Sequence, residues 1–568
     1  MRTQRTSAFL GAAFGSASLL VASGALASNP LEYPDNGSAA FSRGGAWLAL
    51  ANEPIAAHYN PAALAIQGSG FSIEQQLNFN TVCYTREGPG RTPETADSSG
   101  NLIYLPACNS KASFPATIPS ISIAWRASKK LGLGFAVVPP NVYGNTDGDF
   151  PPTSPGYNAK SGELVSVPAS YRFQSLNQLS TIIFPTFGVG YEVLPNFRVG
   201  AAFIAGIDVF NTSVAGIQQQ PNIDSTKPNG GQRDNYINDS LSTLRTRDLF
   251  VPGAILSIHW SPLKQLDVAA WGRWISDAHT TQGTLQTVTN PYNFTSAGGT
   301  SIYPSCPANV AVPCSGSNSV VNTFSDHDAN HTFKEFRFPF PPEVRVGIRF
   351  HVPRSEKTEW QEDSTPKAGF PKVDPLHNEV FDIELDGSYA LNTDANTITV
   401  RFAAAPSGSG LSKVLPAGFV PPNADKYNGY MNSFGLRLGG QYNVIQDKLG
   451  IRAGTWFETQ SQEAAWLSVF PVGATRGGFG GGLVFRQDFI DISMGYQYNW
   501  SAGLDNNGQG AMHTVVGSGN YNGVAFSTQN EKATSAANYT QFRSGQTEND
   551  GSVSQHAHTF TLGGTVHF

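Results

Sequence analysis

The chain is short of charged residues and, after its N-terminus, of long apolar runs. Asp, Glu, Lys and Arg make up 14% of its 568 residues, against about 25% in typical soluble domains. A membrane helix needs about 18 consecutive apolar residues, and mean hydropathy is only −0.22. These shortages argue against an ordinary soluble protein and against a helical membrane protein.

The chain also lacks any block of basic residues. Its formal net charge is −6, and its Lys and Arg side chains are scattered. Proteins that bind nucleic acid usually concentrate positive charge on one face or in one segment. We therefore expect no nucleic-acid partner.

Cysteine is scarce, with four residues: Cys83, Cys108, Cys306 and Cys314. An even number in an exported chain suggests disulfides. Local pairing, Cys83 with Cys108 and Cys306 with Cys314, is the simplest of three possibilities. No Cys-x-x-Cys spacing or nearby histidine cluster supports a zinc site, so neither a metal nor a cofactor is expected.

The N-terminus has the pattern of a signal peptide. Arg2 and Arg5 precede an uncharged stretch at 8–24 that is rich in small residues. The small-x-small sequence at 25–27 predicts cleavage and a mature start near Ser28. A transmembrane anchor is the less favoured interpretation, because the apolar run is short. Export without helical spans leaves the periplasm, secretion or the outer membrane.

From residue 71 onward the sequence alternates with period two. The stretch 490–500 is the clearest case, since it places isoleucine, methionine, tyrosine and tryptophan on one face and polar residues on the other. Such alternation predicts β-strands with one apolar face. Fourteen strands are predicted, at 71–84, 117–127, 131–140, 177–193, 196–212, 248–261, 265–287, 332–352, 379–393, 430–445, 448–463, 475–487, 489–503 and 553–568.

Short and long connections alternate between these strands. The exception is 353–378, which is long although its place in the alternation calls for a short turn. Short turns on one rim and long loops on the other are typical of outer-membrane barrels. The last alternating strand ends on Phe568, as the closing strand of such a barrel does. We therefore predict an all-β fold, a 14-stranded antiparallel transmembrane β-barrel in the bacterial outer membrane.

Residues 28–68 do not alternate and are rich in Gly and Ala. The predicted organisation is a signal peptide at 1–27, a compact N-terminal segment at 28–68 and a barrel at 69–568. Within the segment stands the motif Tyr59-Asn60-Pro61-Ala62-Ala63-Leu64. This motif, the strand count and the stretches 186–195, 340–347 and 434–442 together resemble the FadL/TodX family.

The resemblance implies an N-terminal hatch, or plug, inside the lumen. It also implies passive uptake of hydrophobic compounds, either long-chain fatty acids or hydrocarbons. The expected partners are a hydrophobic small-molecule ligand, outer-membrane lipid and the barrel assembly machinery. General solute passage, or surface binding by the long polar loops, is the alternative function.

The family resemblance implies a gate at Tyr59, Asn60, Pro61 and Ala62. Proline fixes φ, and asparagine bonds to neighbouring backbone. From the residues alone, a turn that only folds the segment is the simpler interpretation. The gate interpretation therefore depends on the family.

A kink in the third strand, opening a sideways exit, is also implied. The third predicted strand contains Gly132, Gly134, Phe135 and Pro139. Glycine permits bends, and proline removes a ladder donor. In the alternative interpretation the glycines fit the curvature of the barrel and the proline ends the strand.

Arg345 and Arg349 alternate with apolar residues and should point into the lumen, where they could meet a carboxylate ligand. Ion pairing with Asp382, Glu384 or Asp386 on the next strand is the favoured alternative.

Catalysis is not expected. The best candidates for a base are His556, His558 and His567 of the last strand, and Ser552 and Ser554 precede His556 and His558 on the same face. A serine–histidine site needs an orienting group and an oxyanion hole, and the sequence indicates neither.

Overall fold

In a computed structural model of the protein, fourteen antiparallel strands close into one barrel. We number these wall strands β1 to β14 in chain order. Their bounds are Gly70–Arg86, Ser120–Arg126, Leu131–Val138, Asn177–Leu194, Phe197–Ile217, Asp239–Leu263, Leu266–Ile275, Glu343–Pro353, Glu379–Ala390, Ser433–Ile445, Leu449–Glu458, Arg476–Gln487, Ile490–Ser501 and Gly551–His567. The predicted number, order and antiparallel arrangement of the strands are confirmed.

The structure describes the wall, the residues before it and parts of the loops. The described residues are 36–86, 95–96, 102–104, 119–139, 153–158, 164–168, 171, 174, 177–217, 239–280, 283–289, 319–324, 335–354, 374–401, 424–469, 472–512, 520–521, 524–525 and 549–568. The predicted signal peptide lies outside them.

Closure joins the first strand to the last. Strand β1 pairs with β14 along its whole length, from Gly70 opposite His567 to Arg86 opposite Gly551. The predicted pairing of the terminal strand with the first strand is therefore confirmed. A closed wall leaves no unpaired strand edge to face lipid.

The two faces of the wall differ sharply in chemistry. On β8, Val344, Val346 and Ile348 point outward and are about half exposed, while Arg345 and Arg349 point inward and are buried. Strand side chains alternate between faces, so every strand contributes to both surfaces. An apolar exterior of this kind is the surface that a membrane-spanning barrel turns to lipid, and outer-membrane location is confirmed. Among the residues described, no helix is long and apolar enough to span a membrane.

Two predicted strands are divided in the structure. The predicted strand 265–287 stops at Ile275 and resumes as Ala278–Thr280 and Gly283–Thr289. The predicted strand 332–352 appears as Glu335–Phe338 and then β8, because Pro341 and Pro342 cannot donate ladder hydrogen bonds.

The long-loop rim carries a small sheet of its own. Ala278–Thr280, Glu335–Phe338, Thr397–Arg401 and Ala424–Tyr427 form this four-stranded rim sheet. Two 3-10 helices, Asn392–Ala395 and Ala464–Trp466, lie in loops of the same rim. At the opposite rim, helix Pro375–Asn378 follows the long turn between β8 and β9.

One wall strand is bulged near the middle of the barrel. The register between β6 and β5 shifts between Asp248 and Val251. Leu249 and Phe250 form the bulge and are more than half exposed on the outside. Bulges bend a strand and increase its local twist.

Candidate functional site: the lumen and the segment inside it

Residues 36–69, here called the N-terminal segment, lie inside the barrel. The segment contains helix α1 (Ser38–Ser42), helix α2 (Ala56–Tyr59) and a 3-10 helix (Pro61–Ala65). Helix α1 packs against β11–β14, and the 3-10 helix packs against β2–β6 on the other side. Nearly all of residues 36–66 are buried. The segment therefore bridges two opposite parts of the wall.

Inward-facing glycines let the wall approach the segment closely. A Cβ on Gly200 would overlap the backbone nitrogen of Ala62, and one on Gly132 would overlap the carbonyl oxygen of Leu64. On the other side, a Cβ on Gly439 or Gly454 would overlap the carbonyl oxygen of Arg43. The obstructing atoms belong to backbone, which cannot rotate away. These positions therefore require residues without a side chain.

Two carboxylates of β9 hold the backbone of the segment. Asp386 accepts hydrogen bonds from the backbone N–H groups of Trp47 (3.0 Å) and Leu48 (3.1 Å). Glu384 accepts from Ala49 (2.5 Å) and from the residue after it (3.3 Å). Charge-assisted bonds of this kind are about twice as strong as neutral ones.

Arg43 completes this attachment with a buried ion pair. Its guanidinium lies 2.5 Å from Asp382 and 3.4 Å from Glu384, and all three side chains are fully buried. The guanidinium also donates to the carbonyl of Ala46 at 2.8 Å. Burial lowers the pKa of Arg43, but the nearby Asp382 and Glu384 carboxylates more than offset this, so its pKa lies above the ordinary value. Arg43 stays charged and ties α1 to β9. Sequence reasoning missed Arg43, because it stands in a Gly/Ala-rich stretch.

A second buried carboxylate system lies near the short-turn rim. Glu74 of β1 accepts hydrogen bonds from the backbone N–H and the hydroxyl of Ser38. Burial, with a contribution from Glu74, raises the pKa of Glu53 to about 8, although Arg452 lies 3.7 Å away. The pocket beside Glu53 is polar. Its lining comprises Asn52, Glu53, Asp374, Leu376, Gln441, Arg452, Val484, Arg486, Asp491, Thr565 and His567.

The motif residues lie against β2–β6 and their own segment. The Tyr59 hydroxyl accepts from the backbone N–H of Asn36 (2.9 Å), and the Asn60 amide donates to the carbonyl of Leu48 (2.8 Å). Pro61 begins the 3-10 helix, and the backbone N–H of Ala62 donates to the Ser257 hydroxyl (2.9 Å). The motif thus folds the segment and also fixes it to the wall.

The residues of the third strand serve packing. A Cβ on Gly134 would lie 2.9 Å from the side chains of Ala57 and Leu64. Phe135 points outward, with its ring centroid 4.8 Å from that of the exposed Phe187. Pro139 follows the end of β3, and its carbonyl accepts from the amide of Asn36.

The predicted kink is not observed between Leu131 and Val138. Strand β3 pairs with β4 from Leu131 to Val138, and with β2 from Gly132 to Val137. Neither ladder shifts register there. The glycines instead leave room on the inner face of β3 for α2 and the 3-10 helix to pack against it.

Arg345 and Arg349 point into the lumen and already have acidic partners. Arg349 is paired with Glu379 and lies 3.1 Å from Asp267 and 3.5 Å from Asp382. Arg345 is bonded to Glu343 at 2.7 Å. Of the predicted acidic partners on β9, Asp382 contacts Arg349, while Glu384 and Asp386 hold the N-terminal segment. Ion pairing accounts for both arginines without a ligand.

Five phenylalanines form a chain of contacting rings, here called the aromatic column. Ring centroids of consecutive members lie 5.4–5.9 Å apart. From the rim sheet inward, the members are Phe336, Phe210, Phe338, Phe340 and Phe184. Buried aliphatic residues of β4, β5 and β6 surround it. This column could not be inferred from the sequence, because its members come from three separate stretches that meet only in the fold.

The aromatic column ends on the N-terminal segment. The Phe184 ring lies parallel to the His58 ring, with an interplanar angle of 7° and centroids 6.1 Å apart. His58 contacts the Tyr59 ring (5.2 Å) and bonds to the Thr186 hydroxyl (2.9 Å). The backbone carbonyl of His58 accepts from the Trp271 indole at 3.0 Å. A continuous series of ring contacts thus runs from the rim sheet to Tyr59 in the motif of the segment.

The remaining candidate residues are placed as follows. Cys83 is disulfide-bonded, and Cys108, Cys306 and Cys314 lie outside the described residues, so the pairing stays a prediction. His556 and His558 lie on the exposed outer face of β14, and His567 bonds to Asp491 at 3.0 Å. The part of the chain that the structure describes contains no group of three or more His, Cys, Asp or Glu arranged to hold a metal ion.

These features define a class of protein, an outer-membrane β-barrel whose lumen contains its own N-terminal segment. In fold, the chain is similar to a FadL homologue from Pseudomonas aeruginosa, with a TM-score of 0.55 and 14% identity over 96% of this chain and all of that one. It is also similar to a TodX deletion mutant described as a monoaromatic hydrocarbon channel, with a TM-score of 0.50 and 11% identity over 95% of this chain and all of that one. The resemblance to the FadL/TodX family is thus confirmed at the level of the fold. No family model and no curated protein sequence matches the chain.

Proposed function

We propose that the protein carries uncharged hydrophobic compounds across the outer membrane by passive diffusion, and that the N-terminal segment is a hatch that closes the lumen. The observation that carries this proposal is the aromatic column, which runs from the rim sheet to the hatch. A hydrophobic molecule leaving water gains roughly 25 cal/mol for each Å² of apolar surface that it buries. Rings that separate slightly would offer such contacts along the path.

Hydrocarbons fit this lumen better than fatty acids do. A carboxylate would need a positively charged partner beside the column. Arg345 and Arg273 share Glu343 (2.7 and 3.3 Å), and Arg349 is paired with Glu379. A fatty-acid headgroup would have to displace these partners. The protein described as a monoaromatic hydrocarbon channel, which shares the fold, supports hydrocarbon cargo.

The glycine contacts and the β9 carboxylates support the hatch role. They fix the N-terminal segment to both sides of the wall, across the barrel. A general solute channel would instead need a hydrated passage. We propose that the hatch shifts only when a hydrophobic molecule reaches it from the column.

The test is uptake by Gram-negative host cells whose lipopolysaccharide leaflet slows hydrophobic entry. Cells that contain the protein should take up labelled toluene faster than cells with empty vector, while arabinose influx stays unchanged. Phe340→Asn should reduce toluene uptake, because it places an amide in the column. Val484→Asn, at an inward position on the far wall, is the matched control and should not. Arabinose entry as fast as through an open porin would favour the general-channel alternative and reject the hatch.

A further inference from the structure

One cation links the hatch to the wall at the end of the aromatic column. The Arg345 guanidinium lies 5.3 Å from the ring centroid of Trp271 and 6.0 Å from that of Tyr59. Trp271 belongs to β7, and Tyr59 belongs to the hatch motif. The guanidinium is held by Glu343 at 2.7 Å, and Arg345 is 8% exposed. Arg345 therefore presents a fixed positive charge to a ring of the hatch.

The contact between Arg345 and the Tyr59 ring lies where the aromatic column meets the hatch. Phe184, the last ring of the column, stacks on His58, whose ring contacts Tyr59. A molecule that follows the column past Phe184 therefore arrives beside Tyr59. To move further, it has to displace the Tyr59 ring from its place next to Arg345.

Displacement of the Tyr59 ring costs less for an aromatic cargo than for a saturated one. A cation is attracted to the negative face of an aromatic ring, and the attraction grows when water is excluded. An aromatic guest can take over the face of the cation that Tyr59 leaves, so one such contact replaces another. A saturated ring of similar size has no such face, and the contact is lost when Tyr59 moves.

We propose that Arg345 is a specificity-determining residue that makes the hatch yield to aromatic cargo more readily than to saturated cargo. The proposal rests on the proposed uptake function and adds the cargo class that opens the hatch. Glu343 and Trp271 position the guanidinium. Tyr59 is the internal ligand with which the cargo competes.

The experiment compares two probes of similar size, toluene and methylcyclohexane, in the host cells described above. The measured quantity is the ratio of their protein-dependent uptake rates. We expect the wild-type protein to favour toluene by about twofold to about thirtyfold, the range that a cation–π contact provides. Arg345→Met keeps an apolar stem but removes the charge, and should bring the ratio close to one.

Arg437→Met is the matched control. Arg437 is also an inward, buried arginine, and it shares Glu458 (2.8 Å) with Arg476 (2.7 Å) as Arg345 shares Glu343 with Arg273. It lies on β10, away from the column, so its loss should leave the toluene preference unchanged. A second pair of variants works at the hatch itself. Tyr59→Phe keeps the ring and should keep both uptake rates, whereas Tyr59→Leu removes the ring with which the cargo competes and should speed both probes while the preference for toluene remains.

The outcomes separate the two proposals. Failure of the wild-type protein to speed either probe would reject the uptake function. Faster uptake of both probes, with the same ratio in wild type and Arg345→Met, would overturn the role of Arg345 and leave uptake standing. If Arg345→Met does not fold, as judged by heat-modifiable migration in gels, equal uptake rates of both probes through Tyr59→Phe and Tyr59→Leu overturn the proposal instead.

Discussion

Replacement of Arg43 by methionine is expected to loosen the hatch and leave the wall intact. The side chain of Arg43 bonds to Asp382 (2.5 Å), Glu384 (3.4 Å) and the carbonyl of Ala46, and contributes to no pair between wall strands. Removal of one partner from a buried ion pair costs about 3–5 kcal/mol, because the remaining charge stays buried and uncompensated. That cost falls on the equilibrium between the seated and the displaced hatch.

The magnitude can be expressed as a change in hatch displacement. At about 1.4 kcal/mol for each factor of ten, the displaced fraction should rise by about two to four orders of magnitude. In the Arg43→Met variant, Asp382 still has Arg349 at 3.5 Å, and Glu384 still accepts from its backbone donors. Neither carboxylate is left fully uncompensated, so we expect an increase near the lower end of this range. Asp382→Asn in the Arg43→Met background should recover part of the loss, because it removes one unpaired charge.

The assay is conductance of single barrels in planar bilayers, with the fraction of time spent open as the readout. Arg437→Met is the control, because it breaks a buried wall-to-wall pair of similar kind. Arg43→Met should open often, while the control should open as rarely as the wild type. If Arg43→Met folds and its open fraction equals that of the wild type, the ion pair does not seat the hatch and the reasoning fails.

Two further predictions concern packing and pH. Gly200→Ala should force the backbone of Ala62 away from β5, at a cost of about 1–3 kcal/mol, and should raise the open fraction. Gly564→Ala is the control, because a Cβ there would meet nothing within 4 Å, and it should leave the open fraction unchanged. Equal open fractions of the two variants would contradict the close-approach argument. Glu53 has a pKa raised to about 8, so the seated hatch binds an extra proton between pH 4.5 and about 8 and seating weakens as pH rises through this window. Glu53→Gln should flatten this dependence in conductance measured from pH 6 to pH 9, and an unchanged slope would assign it to other groups.

The wall was largely predictable from sequence because alternation is a local signal. Each strand shows its two faces within a few residues, as Val344 and Arg345 do, and glycine- or proline-rich connections separate the strands. The predictions were wrong where a strand divides. Pro341 was visible in the sequence, but the rim sheet that takes Ala278–Thr280 and Glu335–Phe338 away from the wall depends on long-range pairing.

The candidate site was far less predictable, because its parts meet only through barrel register. The three inward carboxylates of β9 were visible at alternate positions, but their partners, Arg43 and the backbone of residues 47–50, lie more than three hundred positions earlier. A row of inward carboxylates with too few nearby cations is a signal that donors come from another segment. The column provided no such signal, since phenylalanines such as Phe187 and Phe203 also lie on the outer face.

The hatch is attached to the two sides of the barrel by different chemistry. Toward β9 it is held by the Arg43 ion pair and by carboxylates that accept from its backbone. Toward β2–β6 it is held by its backbone packed against Gly132 and Gly200 and by the Ala57 and Leu64 side chains packed against Gly134. Charged contacts respond to protonation, whereas apolar contacts respond to molecules that dissolve in them. Under the proposed uptake function, a hydrophobic cargo would act at the β2–β6 edge, and the charged edge would then serve as the hinge about which the hatch turns and returns.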